Sequence, residues 1–326
     1  MCNYGRKKHQ MDEAAAWNVI DNLNILIEKD KELRDLRTPD FIICGAAKAG
    51  TTSLFRYLSQ HPYVYTPRIK EPGYFSAFRT YSQSPEKYAS LFEPAEEYQK
   101  AGEASTAYLT SPDSALRIAS AIPEVRIIIM LRNPADRAFS HYRWMTREGW
   151  EYAASFQEAL HLEQNSRSGN AEFIRCNQEY YYNYLYFQSG LYYDRLKRYL
   201  NVFASNQVHF ILFENFVESV KEHTQRICRF LEIDDTFDPE VKVYNKGGDV
   251  WSPHLQHFIR NKMRPVMDKI SFPSRVRICS HLMKWNQTRP NRSMAPAVRS
   301  ALLDRYRSDI KKTEALVDLP LSQAWL

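Results

Sequence analysis

The chain has 326 residues, 44% of them hydrophobic and 25% charged, a balance that belongs to a folded globular protein and excludes fibrous and disordered classes. Lys and Arg number 44 against 38 Asp and Glu, a net charge of +6; the excess is too spread for a nucleic-acid binder but suits an anionic ligand. The five cysteines, odd in number and without CxxC or Cys/His spacing, exclude a disulfide framework and a zinc cluster.

In chain order, the basic start Met1–Lys8 has no apolar segment behind it. No run approaches the ~18 apolar residues that span a bilayer, so a cytoplasmic protein is expected. Apolar positions from Ala15 to Leu33 among charges predict an amphipathic helix over Asp12–Leu36. Thr38-Pro39-Asp40 interrupts it, and Phe41–Cys44 reads as a short buried strand. Gly45–Thr52 is a small-residue loop, and Ser53–Gln60 a helix. Further on come a strand end at Lys100–Glu103, a helix over Ser111–Ala121 and the apolar strand Val125–Leu131. A helix over Pro134–Glu148, an amphipathic segment Leu191–Phe203, a strand Val208–Phe213 and a helix Phe216–Leu231 follow. From Trp251 the pattern is helical and Arg-rich, ending in a helix near Ala297–Leu316. Strands alternating with helices predict an α/β fold, a central parallel sheet flanked by helices in a single domain.

The loop Gly45-Ala46-Ala47-Lys48-Ala49-Gly50-Thr51-Thr52-Ser53 joins a predicted strand to a predicted helix. Amides at a helix N-terminus favour anions, small residues let a phosphate approach, and Lys48, Thr51, Thr52 and Ser53 add donors. A Walker A loop places Lys directly after its second Gly. Here Thr51 follows Gly50 and Lys48 precedes it, which disfavours an ATP-using kinase.

This loop resembles the 5′-phosphosulfate loop of sulfotransferases that use 3′-phosphoadenylyl sulfate (PAPS). Two further segments are similar to elements of that family. Arg132-Asn133-Pro134-Ala135-Asp136-Arg137-Ala138-Phe139-Ser140 follows the apolar strand and resembles the 3′-phosphate motif. Lys70-Glu71-Pro72-Gly73-Tyr74-Phe75-Ser76 resembles the Lys-Glu-Pro-x-x-Phe element of the carbohydrate-type branch, whose Glu is the catalytic base. The resemblance implies a three-layer, P-loop-like sulfotransferase domain over residues 38–326, preceded by a helical extension over 1–37.

It also implies roles. Ala47, Lys48, Ala49, Gly50, Thr51, Thr52 and Ser53 hold the 5′-phosphosulfate, and Arg132 and Ser140 the 3′-phosphate. Glu71 takes the acceptor's proton, Lys48 stabilises the leaving phosphate, and no metal is expected. His61 and His141 compete as base, because the cytosolic small-molecule branch uses His. Lys70 contacts the acceptor or the donor sulfate; Glu103 and Ser105, in Glu103-Ala104-Ser105-Thr106-Ala107-Tyr108, order the site or touch the acceptor, with Glu103 the alternative carboxylate. Tyr244–Ser252 is similar to a late nucleotide-closing loop, with Lys246 and Trp251 as its contacts, although Trp251 stands where Arg is common and Val250 where Pro is.

On the acceptor side, tyrosines crowd Phe173–Tyr193, and Tyr182 and Tyr184 are the expected pocket residues. The family's glycosaminoglycan enzymes sit behind a membrane anchor, for which this sequence has no segment. The expected acceptor is therefore a hydroxyl or amine of a small metabolite or saccharide, the expected product PAP, with no nucleic acid involved. The competing reading is a catalytically silent PAP-binding protein of the same fold.

Overall fold

A computed structural model describes residues 23–76, 84–177, 181–242, 248–263, 272–288 and 293–326. Five strands form one sheet: β1 (Phe41–Gly45), β2 (Val64–Tyr65), β3 (Lys100–Ala104), β4 (Arg126–Leu131) and β5 (Val208–Leu212). Their order is β2-β3-β1-β4-β5 and every pair is parallel. All of β1 and all of β4 after Arg126 are buried, as continuous apolar strands covered on both faces must be. The covering helices include α1 (Thr51–Leu58), α2 (Ser114–Ala121), α3 (Pro134–Arg147), α4 (Tyr193–Leu200), α5 (Val220–Leu231), α6 (Pro296–Val317) and α7 (Leu321–Trp325).

The predicted elements fall within a few residues of these, with three differences. The helix expected over Phe216–Leu231 is two, Phe213–Glu218 and α5. Ser219 leaves helical geometry between them (φ −137°, ψ 62°), and its carbonyl starts the second helix by accepting from the His223 N–H. The helical tract from Trp251 is interrupted by an antiparallel ribbon of Asp249–Val250 with Gln287–Thr288. That ribbon and β2 have two residues per strand, too few for any periodicity to show. Of the expected Asp12–Leu36 helix only the part from residue 23 is described. Residues 23–30 are helical and Lys31–Asp35 tighten into a 3₁₀ turn. This segment is tied to the body by Asp30, which accepts from Arg117 at 2.7 and 3.0 Å in a fully buried pair. Among the described residues no helix is long and apolar enough to cross a membrane.

One register position shows how closely the sheet and its cover are matched. Phe41 on β1 is paired with Gly102 on β3, and its ring lies over that glycine. A Cβ at position 102 would stand 2.0 Å from Phe41 Cζ. Gly102→Ala is therefore expected to lower the unfolding free energy by about 1–3 kcal/mol through overpacking. Chemical denaturation measures this, and an unchanged midpoint would contradict the packing.

Candidate active site

Parallel pairing of β1 with β4 brings two strand-to-helix turns to the same edge of the sheet. The turn after β1 runs through Lys48 (φ 70°) and Gly50 (φ 89°), both in left-handed backbone. The Ser53 and Leu54 N–H groups bond back to the Gly50 carbonyl at 2.9 and 3.1 Å. The earlier amides of α1 are thus left at the turn, where the first N–H groups of a helix have no intrahelical acceptor. Ala49 is fully buried and Thr51 nearly so, while Ala47, Lys48, Gly50, Thr52 and Ser53 are partly exposed. Gly50 packs against Phe213, whose ring would be 2.9 Å from a Cβ placed there.

Arg132, at the end of β4, joins the two turns directly. Its guanidinium donates to the Lys48 carbonyl at 2.9 Å and lies 4.6 Å from the Phe213 ring centre. The Arg132 carbonyl accepts from Tyr192 Oη at 2.9 Å. Asn133 caps α3 by accepting from the N–H groups of Ala135 and Asp136. Its own N–H donates to Glu214 at 3.0 Å, and Trp325 Nε1 donates to the other Glu214 oxygen at 3.2 Å. Ser140 is partly exposed two turns into α3, one turn before Trp144. The Lys48 ammonium sits over the Trp144 ring, 5.6 Å from its centre, within cation–π range.

Lys48 is surrounded by like charge. Burial first, then Arg147, Arg132 and Lys70, pull its pKa down to about 8, with Glu71 acting in the opposite sense. Burial likewise lowers that of Arg132, against Asp136 and Glu214. Crowded cations on a strand edge are costly without a polyanion to neutralise them. That is the chemistry expected of a multiply charged phosphate ligand.

Glu71 borders this region from the other side. It too is left-handed (φ 62°), its N–H bonds to the Ala104 carbonyl at 3.0 Å, and its carboxylate accepts from Lys70 Nζ at 2.8 Å and Thr106 Oγ1 at 3.2 Å. Beneath it a buried network fixes the Lys70–Ser76 segment. Glu103 accepts from Tyr88 (2.7 Å), Tyr108 (2.9 Å) and Ser105 (2.6 Å), and Ser105 Oγ in turn accepts from the Gly73 N–H at 3.0 Å. Glu103 and Ser105 have no exposed surface. Their hydrogen bonds tie down the Lys70–Ser76 segment, and their burial leaves no surface open to an acceptor. Burial raises the Glu103 pKa, opposed by its three hydroxyl donors.

Next to Glu71 opens a cavity bordered by Ala46 and Ala47 of the loop, Thr106, Arg137 and His141 of α3, and Tyr182 and Asn183. Tyr182 thus lies where a pocket tyrosine was expected. Tyr184 does not: it packs behind the wall, 5.0 Å from the guanidinium of Arg167, which is itself paired with buried Glu151. His61 is also remote, with Nε2 2.8 Å from the Asp234 carbonyl. Trp251 ends the short ribbon with 73% of its surface exposed, its N–H on the Asn286 carbonyl; no contact with the loop is seen among the described residues. Lys246, with Tyr180 and Tyr244–Gly247, lies outside the described residues. Sequence reasoning overlooked Thr106 and Trp144, although Thr106 stood in the quoted Glu103–Tyr108 stretch and Trp144 follows Ser140 at helical spacing.

A model of the sulfotransferase domain matches residues 38–273, and the chain belongs to the sulfotransferase family, a class of group-transfer enzymes. It is 25% identical over 304 residues to the membrane-associated sulfotransferase kil1 of Dictyostelium discoideum, covering 71% of this chain and 64% of that protein. It is 28% identical over 181 residues to bifunctional heparan sulfate N-deacetylase/N-sulfotransferase 1 of Caenorhabditis briggsae, covering 53% and 20%. The chain thus spans less than two thirds of the length of either relative. The crystal structure of a sulfotransferase from Alicyclobacillus acidocaldarius superposes with a TM-score of 0.66 at 31% identity, covering 88% of this chain and 99% of that one.

Proposed function

We propose that the chain moves a sulfuryl group from PAPS to a hydroxyl or amine of a small metabolite or saccharide. The observation that carries this is the closeness of Lys48 to Glu71: a cation on a phosphate-type loop feels the charge of a carboxylate from a separate segment, and that carboxylate borders a cavity whose wall includes the neighbouring loop residues Ala46 and Ala47. The residues fit such a donor, because the helix N-terminus, Lys48, Arg132 and Arg147 present convergent positive charge, and among the described residues the Glu71 carboxylate is paired with Lys70 rather than with Lys48. When bound, it would supply an activated sulfuryl group on a 5′-phosphate leaving group.

The protein's own part is positioning and charge. The amides of α1 with Thr51, Thr52 and Ser53 hold the 5′-phosphate. Arg132 and Ser140 take the 3′-phosphate, Arg132 while keeping its bond to the Lys48 carbonyl. Glu71 accepts the proton from the attacking hydroxyl or amine as the new bond to sulfur forms, and Lys48 neutralises the negative charge left on the departing phosphate oxygen. Thr106 and Lys70 hold the Glu71 carboxylate in place for this step.

A catalytically silent PAP-binding protein would need the loop but not Glu71. Glu71→Gln is expected to cut kcat by about 10²–10⁴-fold, the usual contribution of a general base, while PAP affinity stays within a few-fold. Labelled-PAPS transfer and PAP calorimetry measure the two. PAP binding with no transfer by the unmodified protein would favour the silent reading, and transfer unchanged in Glu71→Gln would remove Glu71 as the base.

Protonation of Lys48 sets a second expectation. Its pKa is lowered, so the ammonium is present below pH 8 and lost as pH rises through about 8. PAP affinity should fall over that interval, and Lys48→Arg should remove the fall because a guanidinium stays charged. A flat wild-type profile from pH 7 to 9 would contradict the assignment.

A cytoplasmic location is part of this proposal, supported by the free state of Cys44, Cys176, Cys228 and Cys279. Fractionation of cells carrying the full-length chain is expected to recover it with soluble proteins; recovery with membranes would overturn that location.

A further inference from the structure

Arg137 and His141 stand one turn apart on α3, and both line the cavity that Glu71 borders. They are 1% and 4% exposed. Yet neither ring nitrogen of His141 has a hydrogen-bond partner, and neither does Arg137 Nε. Arg137 Nη2 donates to the Tyr186 carbonyl at 2.6 Å, which aims the guanidinium without neutralising it. Among the described residues no carboxylate bonds to it directly, although buried Glu163 acts on it through space. Buried polar atoms are normally satisfied, and buried charges paired, because desolvation is otherwise uncompensated.

The His141 ring is held in plane by edge-on contacts with Trp144 and Tyr186, with centroids at 5.6 and 5.9 Å. Burial, then Arg137 and Lys48, keeps the imidazole well below its ordinary pKa. It is therefore neutral, with one N–H to give and one lone pair to receive, the complement of a hydroxyl group. Arg137, always charged, offers planar donors that match a carboxylate. The remaining lining is mostly uncharged, with polar Ser76, Thr106, Thr110 and Asn183 beside apolar Leu109, and its one carboxylate is Glu71.

We propose that Arg137 and His141 are the acceptor-recognition pair, Arg137 taking a carboxylate and His141 a neighbouring hydroxyl, so that the preferred acceptor is a hydroxylated acid rather than a neutral alcohol. This rests on the sulfuryl-transfer reading and names the substrate class for that site. Both residues set specificity; the proton acceptor remains Glu71.

The test uses the full-length enzyme saturated with PAP, titrated calorimetrically with methyl β-D-glucopyranosiduronate and with methyl β-D-glucopyranoside. The acid is expected to bind about tenfold or more tightly than the neutral sugar, as a charge-assisted contact requires. His141→Phe should weaken both by about five- to tenfold, and His141→Gln by less, since the amide restores a donor and an acceptor. PAP affinity should stay within twofold in both variants. The ring ¹⁵N resonances of His141 should shift when the acid probe is added, a readout that a purely packing histidine would not give. Equal binding of the two sugars, binding of neither, or indifference to His141→Phe would overturn the proposal while leaving the donor assignment intact. Failure of the wild-type enzyme to bind PAP would instead overturn the donor reading, and this proposal with it.

Discussion

The hydrogen bond from the Arg132 guanidinium to the Lys48 carbonyl holds the site together. Neighbouring parallel strands place the ends of β1 and β4 side by side, but adjacency alone leaves two independent turns. The bond makes them one surface. It also explains the unusual backbone at Lys48, since a left-handed residue (φ 70°) turns its carbonyl toward Arg132 and needs a partner to offset the strain. Arg132 is restrained at its other end as well. Its carbonyl is bonded to Tyr192, and the following Asn133 is bonded to Glu214, which Trp325 of the C-terminal helix also contacts. Helices α6 and α7 lie beyond the residues matched by the sulfotransferase domain model, so part of the site's rigidity comes from outside the matched region. The ion pair of Asp136 with Arg299, at 3.0 Å through both nitrogens, ties α6 to the first turn of α3.

The carboxylate side is built on a different principle. Glu71 lies on a segment without helix or strand, yet it is held as firmly as an element would be. The Glu103 carboxylate gathers three hydroxyls, and Ser105 passes the restraint on to the Gly73 amide. Aromatic packing completes the anchorage: Tyr74 stacks on Tyr88 at 4.6 Å, and Phe75 packs edge-on against Tyr88 and Tyr108. A fully satisfied buried network of this kind favours one arrangement over its neighbours. It leaves Glu71 partly exposed at the rim above a buried foundation, the combination that the proposed role of proton acceptor would require.

The donor side was legible in the sequence because its chemistry is local. A strand, a run of small residues with Lys48 and a helix start are contiguous, and so are Leu131, Arg132 and the Asn133-Pro134 helix cap; each can be recognised from a dozen residues. The sheet was legible for the same reason, its strands β1, β4 and β5 being short apolar runs that admit few other readings. Residues whose roles depend on contacts between distant segments were harder. Glu103 looks like any carboxylate near a site until Tyr88, fifteen residues earlier, is seen to bond it. Tyr182 and Tyr184 are indistinguishable by composition, but a 3₁₀ turn over Tyr181–Tyr184 points one into the cavity and the other onto Arg167. Ser219 carries no strong breaker signal, so the division of one expected helix into two was not visible.

The contrast between the two halves has a physical origin. Phosphate recognition uses backbone amides and point charges, which tolerate few arrangements and so leave a contiguous trace in sequence. The cavity proposed for the acceptor is lined by side chains from several elements: Glu71 from the segment before Tyr74, Thr106 from the turn after β3, His141 from α3 and Tyr182 from the 3₁₀ turn. Each comes from a stretch whose own hydrophobic pattern would be the same with another polar residue in that position. Substitution at these points changes the lining while β1, β4 and the Arg132–Lys48 link remain. A fold of this design can therefore keep one donor-type surface while its acceptor cavity diverges, and on the reading proposed above the specificity of this chain would lie in α3 and the Tyr181–Tyr184 turn rather than in the loop that identifies its family.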